Sequence, residues 1–530
     1  MKKFLLLMLL SVATIAQAAW QPDNVQTTRI DALNSSQGLL RSVRTPDGQI
    51  VVTWVNLDLG VTTMSLQIFD ADGTAKFADQ GLTVNNRHSK SYFTTAGLAL
   101  ASNGDILMAF DDSRDDPNVV AESSDVFAYR YSQTGTSVWS ADGIKMTQKK
   151  QHDDAQMIDF IMPDIVASGD NVYFTAIYVE YVEEKDEFEN IETKTYYYFQ
   201  VMCLNANGDV LSNEVFPLNY AFYKICAAPE GDIYVVMTND NLGFRVLRLG
   251  SDGTRAWAND ADVEPESQLV GNSVMHFMSV DTVSDGSLYL TYTKPSYSAI
   301  YQVVRKVTPT GSCALSEKVV VNCLEYGWVN DAAMAIKHDS VLVLTSFGND
   351  LNSNESDFHV IANMLSGGGS YLWADEKSCG VECAINEGTS LSFDLVDVVP
   401  QQNGWVVVYG DRLSPLYEYK NYYVHKIDND GNTIWKKRVL ADNLIMVERS
   451  LQYDDNSIYL FFTQGMFGGD GLYVACIDIR DGSNVTALEE SKSDGIRTDA
   501  PKKIIDHTGS VYILHNDKKY NLLGTDIERQ

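Results

Sequence analysis

The sequence predicts an all-β fold that is built from one repeated unit. Each unit contains a turn, an apolar strand, a variable loop, an alternating strand, a Gly-x-x-x-aromatic corner and a short closing strand. Units recur every ~50 to 65 residues, and residues 100–148 are the clearest copy. Four-stranded sheets of this size cannot bury both faces alone, so they pack radially around an axis. We therefore predict a single β-propeller of four-stranded antiparallel blades.

The blade count follows from the second strand of each unit. Each of these strands comes after a turn rich in Gly, Asn or Asp, residues that suit tight hairpins. We count nine repeats, whose second strands are predicted to begin at Ile50, Ile106, Val172, Ile233, Leu288, Val341, Val406, Ile458 and Val511. Propellers typically have about four to eight blades. The alternative is therefore a ring of eight blades with one unit as a decoration.

The two ends of the chain are predicted to close the ring. The last unit ends without a fourth strand, whereas residues 25–32 form a strand candidate ahead of the first complete unit. A missing strand leaves an edge of unpaired backbone groups. We therefore expect residues 25–32 to complete the sheet that residues 505–527 begin.

The N-terminus has the pattern of a bacterial export signal. Lys2 and Lys3 precede an apolar run, and residues 16–18 read Ala-Gln-Ala, which suits signal peptidase. This predicts a signal peptide at residues 1–18, a propeller domain at residues 19–530, and export to the periplasm or the extracellular space. No later stretch approaches the ~20 apolar residues of a membrane helix, so we predict no membrane span.

Charge excludes one class of partner. The chain has 71 acidic and 40 basic residues and a formal net charge of −31. Such a charge repels phosphate backbones, so we predict no nucleic-acid partner. Neutral ligands, basic ligands and cations remain compatible with this charge. We expect a monomer that recognises a protein or a glycan.

The seven cysteines are an odd number, so at least one thiol is expected to stay free or to pair between chains. Cys313 with Cys323, or Cys379 with Cys383, could form a disulfide. The other three lie in apolar strands, where a cysteine packs as a small hydrophobic residue. We therefore expect those three to be buried.

Five units share an aromatic residue four positions after a corner glycine. Glycine permits the positive φ of the turn, and the aromatic side chain can pack against the neighbouring blade, burying ~150 to 250 Å². We interpret these side chains as structural docking residues. They are Phe77, Trp139, Trp257, Trp373 and Trp435.

The second unit resembles the repeats of secreted bacterial propeller proteins, which read small-aromatic-x-Asp-x-Arg, Asp-aliphatic-aromatic-Ala and Gly-x-x-x-Trp. The matching segments are residues 109–114, 125–128 and 135–139, followed by Gly143. The seventh unit resembles them at residues 409–412 and 431–435. The corner alone is similar to the tryptophan-docking repeats of pyrroloquinoline-quinone dehydrogenases and of an outer-membrane assembly propeller. The resemblance implies an exported propeller and assigns no activity.

A binding mouth is predicted where the loops from second to third strands leave one end of the ring, because function normally lies in such loops. The residues that we predict to bind there are Asp112, Arg114, Asp240, Asp350, Asp411, Arg412, Tyr417 and Tyr419. They could contact sugar hydroxyls or hold Ca²⁺, and we predict no other cofactor. Alternatively, the Asp and Arg residues of one loop brace that loop through charge-assisted hydrogen bonds. His152 is interpreted as a loop cap rather than a metal ligand.

The predicted function is binding or scaffolding without catalysis. Glycoside hydrolysis requires two carboxylates placed across a sugar, and acidic residues are too abundant here to select a pair. The sequence contains no Gly-x-Ser-x-Gly, His-Glu-x-x-His or phosphate-loop motif. No catalytic residue or metal ligand is therefore assigned. The alternative is a carbohydrate-active hydrolase or lyase on the same scaffold.

Overall fold

The computed structural model describes the greater part of the chain in separate stretches. The described residues are 28–29, 36–58, 61–78, 81–84, 95–112, 125–155, 157–185, 190–218, 223–238, 243–264, 279–295, 299–324, 328–349, 357–373, 380–386, 392–414, 418–438, 446–464, 471–482, 502–505, 511–515 and 518–520. The predicted signal peptide, residues 1–18, lies outside them. The chain divides into two compact units, Met1–Val485 and Thr486–Gln530.

Within its described residues, the first unit contains eight four-stranded antiparallel sheets, which are the predicted blades. Strands are given from first to fourth. Blade 1 contains Ser36–Arg44, Ile50–Asp58, Val61–Phe69 and Leu82–Thr83. Blade 2 contains Ala96–Leu100, Ile106–Asp112, Asp125–Tyr131 and Ile144–Lys145. Blade 3 contains Met157–Ser168, Asn171–Lys185, Ile191–Leu204 and Val210–Leu218.

The next three blades repeat this order. Blade 4 contains Tyr223–Ala227, Ile233–Thr238, Phe244–Leu249 and Ala261–Glu264, with a 3-10 turn at Pro229–Gly231. Blade 5 contains Ser279–Thr282, Leu288–Pro295, Ala299–Val307 and Cys313–Leu324. Blade 6 contains Trp328–Lys337, Ser340–Asn349, Asp357–Leu365 and Val381–Asn386.

The last two blades complete the ring. Blade 7 contains Ser392–Gln401, Gly404–Ser414, Glu418–Ile427 and Thr433–Arg438. Blade 8 contains Met446–Tyr453, Ser457–Gln464, Gly471–Asp478 and, as its fourth strand, Thr28–Arg29. The first strands of successive blades contact each other around the whole ring. The first strand of blade 8 contacts the first strand of blade 1. The propeller prediction is confirmed, with the eight-blade alternative rather than a ring of nine.

The N-terminal strand closes blade 8 and not the ninth repeat. Thr28 lies opposite Val474, and Arg29 lies opposite Tyr473. The prediction that residues 25–32 complete the sheet of residues 505–527 is therefore wrong. Blade 8 takes only three strands from residues 446–478, so its outer edge has backbone groups that the N-terminal strand can pair.

The ninth repeat belongs to the second compact unit. Its described residues form a three-stranded antiparallel sheet of Lys502–Ile505, Val511–His515 and Lys518–Tyr520. The turn and strand pattern of the sequence therefore identified a real sheet. It is not one of the eight blades.

The core lies between neighbouring blades, because successive side chains of a strand point to opposite faces of its sheet. Val51 and Val55 of blade 1 belong to a buried cluster with residues of blade 2. Ile50, Val52 and Trp54 of the same strand belong to a cluster with blade 8. One strand of blade 1 thus joins the first blade to both the second and the last. All seven residues of Ile106–Asp112 are buried for the same reason.

The disulfide suggested for Cys313 and Cys323 is not formed, because Cys313 is a free thiol. Both lie in the single strand Cys313–Leu324, so the strand rise places them ~33 Å apart. Cys383 is also a free thiol, and Cys379 lies outside the described residues. The thiols of Cys203 and Cys476 are buried and free, and Cys226 is a half-buried free thiol. The part of the chain that the structure describes has no helix long and apolar enough to cross a membrane.

Candidate functional site

The corner tryptophans contact the next blade through their indole N–H groups. Each donates a hydrogen bond to a backbone carbonyl near the corresponding corner of that blade. The pairs are Trp139 with Ala206 at 3.1 Å, Trp257 with Pro309 at 2.9 Å, Trp373 with Asn429 at 2.8 Å and Trp435 with Ile479 at 3.2 Å. These contacts give the corner tryptophans a docking role between blades.

The corner glycines make room for the aromatic rings of the preceding blade. A Cβ atom added to Gly311 would lie 2.8 Å from the Trp257 ring, and one added to Gly135 would lie 2.6 Å from Phe77. Gly311 has φ +83°, which also favours glycine. Trp139 is 7% exposed. Phe77, Trp257, Trp373 and Trp435 are half-buried.

Sequence reasoning missed a basic partner of these tryptophans. Arg130 Nη1 donates to the same carbonyl of Ala206 as Trp139, at 2.8 Å. Lys426 Nζ likewise donates to the carbonyl of Ile479, at 3.1 Å, as Trp435 does. In each case the basic residue stands nine positions before the tryptophan. This spacing, which Arg248 and Trp257 also have, is the signal that could have identified it.

The predicted mouth is only partly described. Asp112 and Asp411 are buried in the second strands of blades 2 and 7, which are not neighbours in the ring. In blade 7 the backbones of Arg412 and Tyr419 lie opposite each other. Arg114, Asp240, Asp350 and Tyr417 lie outside the described residues. The described residues contain no group of three or more His, Cys, Asp or Glu side chains that could hold a metal ion.

Within the described residues, the second and third strands of blade 3 are longer than those of blades 2 and 4. Its second and third strands pair from Val172 and Leu204 to Lys185 and Ile191. In the part of the chain that the structure describes, the first strand pairs as far as Tyr181, and the fourth strand pairs as far as Tyr197. Residues 182–185 and 191–194 therefore form a two-stranded ribbon, the blade 3 ribbon, within the described residues. Its four residue pairs extend ~14 Å beyond Tyr181, the last residue of the second strand that pairs with the described first strand.

A cluster of polar and aromatic side chains lies at the base of this ribbon. We call His152, Tyr178, Glu180, Tyr196 and Tyr198 the blade 3 cluster. The Glu180 side chain is fully buried, and its Oε2 lies 2.7 Å from His152 Nδ1. Glu180 also accepts the backbone N–H groups of residues 151 and 152, at 2.5 and 2.9 Å. Because an ionised carboxylate only accepts, Nδ1 donates to Glu180, and in the neutral form of the ring Nε2 would be the acceptor.

The tyrosines of the cluster surround the imidazole. The His152 ring centroid lies 4.4 Å from that of Tyr196, and the Tyr198 hydroxyl oxygen lies 3.3 Å from Nδ1. Burial, followed by the nearby Glu180 charge, raises the pKa of Tyr198 to about 12 and raises the pKa of Tyr178 as well. Both phenols therefore stay protonated at neutral pH. The His152 side chain is 33% exposed, so a ligand can reach it.

His152 does hold its loop in place, and the cluster combines this with an accessible imidazole. Sequence reasoning did not group these residues, because His152 comes from the connection between blades 2 and 3 and the others come from two different strands. The run Tyr196-Tyr197-Tyr198 at the start of a long alternating strand was the available signal. The imidazole and phenol rings can stack on a sugar or protein ligand, and imidazole, carboxylate and phenol groups can form hydrogen bonds or transfer protons.

The first strands carry charged residues at their irregular positions. In five of the described blades the pairing between first and second strands shifts register, and the first residue after the shift is charged. These residues are Arg41, Asp164, Asp331, Asp397 and Arg449. Because first strands contact each other around the ring, these positions bring charges from different blades together.

Arg449 shows how these charges are compensated. Its guanidinium lies 3.3 Å from the Asp397 carboxylate of blade 7 and 3.8 Å from the Asp331 carboxylate of blade 6. It also donates to the Val396 carbonyl at 2.8 Å. On the other side of the same strand, the Ser450 and Ser42 hydroxyls lie 2.7 Å apart and link blade 8 to blade 1. We interpret these contacts as structural contacts that hold the closed ring.

Asp164→Asn is expected to raise the melting temperature at neutral pH. Burial raises the pKa of Asp164, against the lowering effects of the Ile165 N–H, Lys224 and Arg41. The folded state therefore keeps this proton at pH values where the unfolded chain has lost it, so stability falls as pH rises through that range. Asparagine cannot ionise, so the variant does not lose stability as pH rises through that range. Its amide oxygen can still accept the Ile165 N–H, which in the wild type donates to Asp164 Oδ1 at 2.8 Å.

Thermal unfolding from about pH 3 to pH 7 tests this expectation. The variant and the wild type should melt together at the acidic end and separate towards neutral pH. Asp170→Asn, at an exposed turn of the same blade, is the control. A lower melting temperature of Asp164→Asn at neutral pH would show that the carboxylate is needed as an ion.

Comparisons with known proteins find structural similarity without a family. Neither the family models nor the curated proteins match the chain. A protein of unknown function from Dyadobacter fermentans is 12% identical, with 74% of this chain and 96% of that chain covered and a TM-score of 0.35. The polysaccharide lyase Uly1 is 8% identical, with 88% and 94% covered and a TM-score of 0.40. A Trypanosoma rangeli sialidase is 8% identical, with 86% and 59% covered and a TM-score of 0.34.

Proposed function

We propose that this protein is an exported, non-enzymatic propeller that binds a protein or a glycan through the blade 3 cluster. The observation that carries the proposal is the Glu180–His152 pair beside two tyrosines at the base of a ribbon that projects past its sheet. Among the described strands this ribbon pairs only with itself, so it adds little to the ring. Its cost is explained if it positions side chains for a ligand.

The cluster is organised before any ligand arrives. Hydrogen bonds to Glu180 hold His152, and Tyr196 donates to Glu184, so neither ring has to be ordered on binding. Tyrosine contributes a large contact area with few rotatable bonds. Preorganised aromatic side chains of this kind lower the entropic cost of recognition.

The charge around the cluster limits the classes of ligand that can bind there. The net charge of −31 and the acidic residues of the ribbon, Glu183, Glu184 and Glu192, repel polyanions. Uronate polymers and nucleic acids are therefore disfavoured, and neutral or basic ligands are favoured. Two ribbon lysines, Lys185 and Lys194, offset part of this charge, and Lys194 pairs with Glu184 at 2.5 Å.

Tyr196→Ala is expected to weaken ligand binding by at least about tenfold, because truncating a central aromatic contact typically costs this much or more. A glycan array probed with residues 19–530 identifies glycan ligands, and calorimetric titration measures their affinities. Cross-linking in the producing cell tests the protein alternative, with Tyr196→Ala as the comparison. Tyr453→Ala removes a tyrosine that is 38% exposed in blade 8 and serves as the control.

The ligand-binding site would lie outside the blade 3 cluster if Tyr196→Ala binds the ligand with unchanged affinity while a substitution outside the cluster abolishes binding. Absence of every glycan and every cross-linked protein would contradict the binding function. The Tyr453→Ala control should behave as wild type in both assays.

A carbohydrate-active hydrolase or lyase is the second candidate, and one observation favours it. Glu180 orients the His152 ring with Nε2 as the acceptor, and a protonated phenol lies beside it at Tyr198. An imidazole base next to a phenol acid can act as a proton-transfer pair. A polysaccharide depolymerisation screen separates the candidates. Chain cleavage by the wild type that is lost in His152→Ala would replace the binding proposal with an enzyme.

A further inference from the structure

A groove lies at the junction of blades 4 and 5, at the corners between third and fourth strands. Its volume is about 630 Å³, within the ~300 to 1,000 Å³ usual for small-ligand sites. Its lining includes Glu230, Arg248, Trp257, Asn259, Asp260 and Thr310. In an up-and-down blade these corners face the end of the ring opposite the loops from second to third strands. The groove is therefore separate from the blade 3 cluster.

Trp257 gives this groove a rigid aromatic surface. Its indole N–H donates to the Pro309 carbonyl at 2.9 Å, and its ring lies against Gly311, where a Cβ would be 2.8 Å away. The ring of Tyr234 lies 5.8 Å from it, and the Tyr234 hydroxyl is bonded to the Gly286 carbonyl. The indole is thus held by blade 5 while it remains half-buried and lines the groove. A ligand can stack on it without ordering it first.

The formal charges that line the groove are paired within the protein. Arg248 lies 2.7 Å from Asp232 and 3.1 Å from Glu230. Asp260 lies 2.6 Å from Arg255 and 3.5 Å from Arg245. An ionic ligand would have to compete with the Arg248–Asp232 and Arg245–Asp260 pairs, which are largely removed from water, whereas the Glu230 carboxylate is 84% exposed. The lining therefore favours a neutral ligand that can accept and donate hydrogen bonds.

We propose that this groove binds a pyranose unit of an uncharged glycan. One face of a pyranose ring carries C–H groups that can stack on the Trp257 indole, and its hydroxyl groups lie at the perimeter. Asn259 and Thr310 are exposed amide and hydroxyl side chains that can hydrogen bond to those hydroxyls, and Glu230 can accept from them. This site goes beyond the proposed function, since it lies at other blades and uses none of the residues of the blade 3 cluster.

Calorimetric titration with neutral hexasaccharides of glucose, mannose and galactose tests the proposal. Asn259→Arg places a bulky cation in the groove from an exposed position and is expected to weaken binding at least about tenfold. Trp257→Phe keeps an aromatic face and should lose less affinity than Trp257→Leu. Ala141→Arg is the matched control, because Ala141 also stands two residues after a corner tryptophan and is exposed. It should bind as wild type.

The outcomes separate this site from the blade 3 cluster. Tyr196→Ala should leave hexasaccharide binding at the groove unchanged. The proposal is overturned if no hexasaccharide binds, or if Asn259→Arg binds like the wild type while its far-ultraviolet circular dichroism is unchanged. Loss of binding in Tyr196→Ala but not in Asn259→Arg would assign the glycan to the blade 3 cluster instead. Adenosine is titrated in parallel, and its binding in place of the hexasaccharides would show a site for stacked bases.

Discussion

Trp139→Ala is expected to lower the free energy of unfolding by about 3–5 kcal/mol. Trp139 is 7% exposed and belongs to a buried cluster that contains Leu107 of blade 2 and Leu204 of blade 3. Alanine leaves a cavity between two blades that the surrounding sheets cannot close. Equilibrium unfolding in guanidinium chloride, followed by circular dichroism, measures the change.

Two controls separate packing from hydrogen bonding in this prediction. Trp139→Phe keeps most of the buried ring and loses the indole donor, so we expect a cost of only about 1 kcal/mol. The Ala206 carbonyl stays paired in that variant, because Arg130 donates to it at 2.8 Å. Trp435→Ala removes a half-buried corner ring and should cost less than Trp139→Ala. Equal losses for the two alanine variants would contradict the packing explanation.

Acidification is expected to remove about 3 kcal/mol of stability through His425. Burial, with a smaller effect of Lys436, lowers the pKa of His425 to about 4, against about 6.5 in an unfolded chain. The side chain is 2% exposed, and its Nε2 lies 2.8 Å from the Thr433 hydroxyl. Between these two pKa values only the unfolded state binds the proton. The free energy of unfolding therefore falls as pH drops from about 6.5 to about 4.

The comparison of wild type with His425→Asn isolates this effect from the carboxylates. The difference in free energy of unfolding between the two proteins should change by about 3 kcal/mol from pH 7 to pH 4, in the direction that favours the variant at acidic pH. His338→Asn, at an exposed turn, is the matched control. A constant difference across this range would show that His425 is not buried as a neutral ring.

Local chemistry made the strands predictable. Every second strand begins within two residues of its predicted start, for example at Ile106 and at Gly404 against the predicted Val406. Turn residues act over four residues and strand alternation over two, so both are readable without knowing the partner strands. The corner motif was readable for the same reason. The sequence did not reveal which carbonyl of the next blade accepts the hydrogen bond from each tryptophan.

The ring closure shows the limit of that reasoning. The sequence predicts a strand at residues 25–32 and assigns it to the sheet of residues 505–527, the one unit that lacks a fourth strand in the sequence pattern. Thr28–Arg29 joins blade 8, where Gly471–Asp478 presents the open edge. A strand pairs with any compatible edge, so its partner depends on which edge the ring leaves open.

The candidate sites were the least predictable part. The mouth prediction selected single residues at loop bases, and its two buried described aspartates lie in blades that are not neighbours. The blade 3 cluster combines His152 with Glu180 and Tyr198, which are far apart in sequence. The Trp257 groove needs blades 4 and 5 together. No local sequence pattern indicates these contacts between distant residues.

The sequence by itself determined the all-β repeat, the approximate start of each second strand and the corner tryptophans, because turns, alternation and spacing act over a few residues. Only the tertiary structure decided that eight blades close the ring, that the N-terminal strand completes blade 8, and that His152 meets Glu180. These outcomes depend on which faces and edges remain to be covered once the sheets have formed. Burial of apolar faces and pairing of backbone groups are properties of the assembled ring.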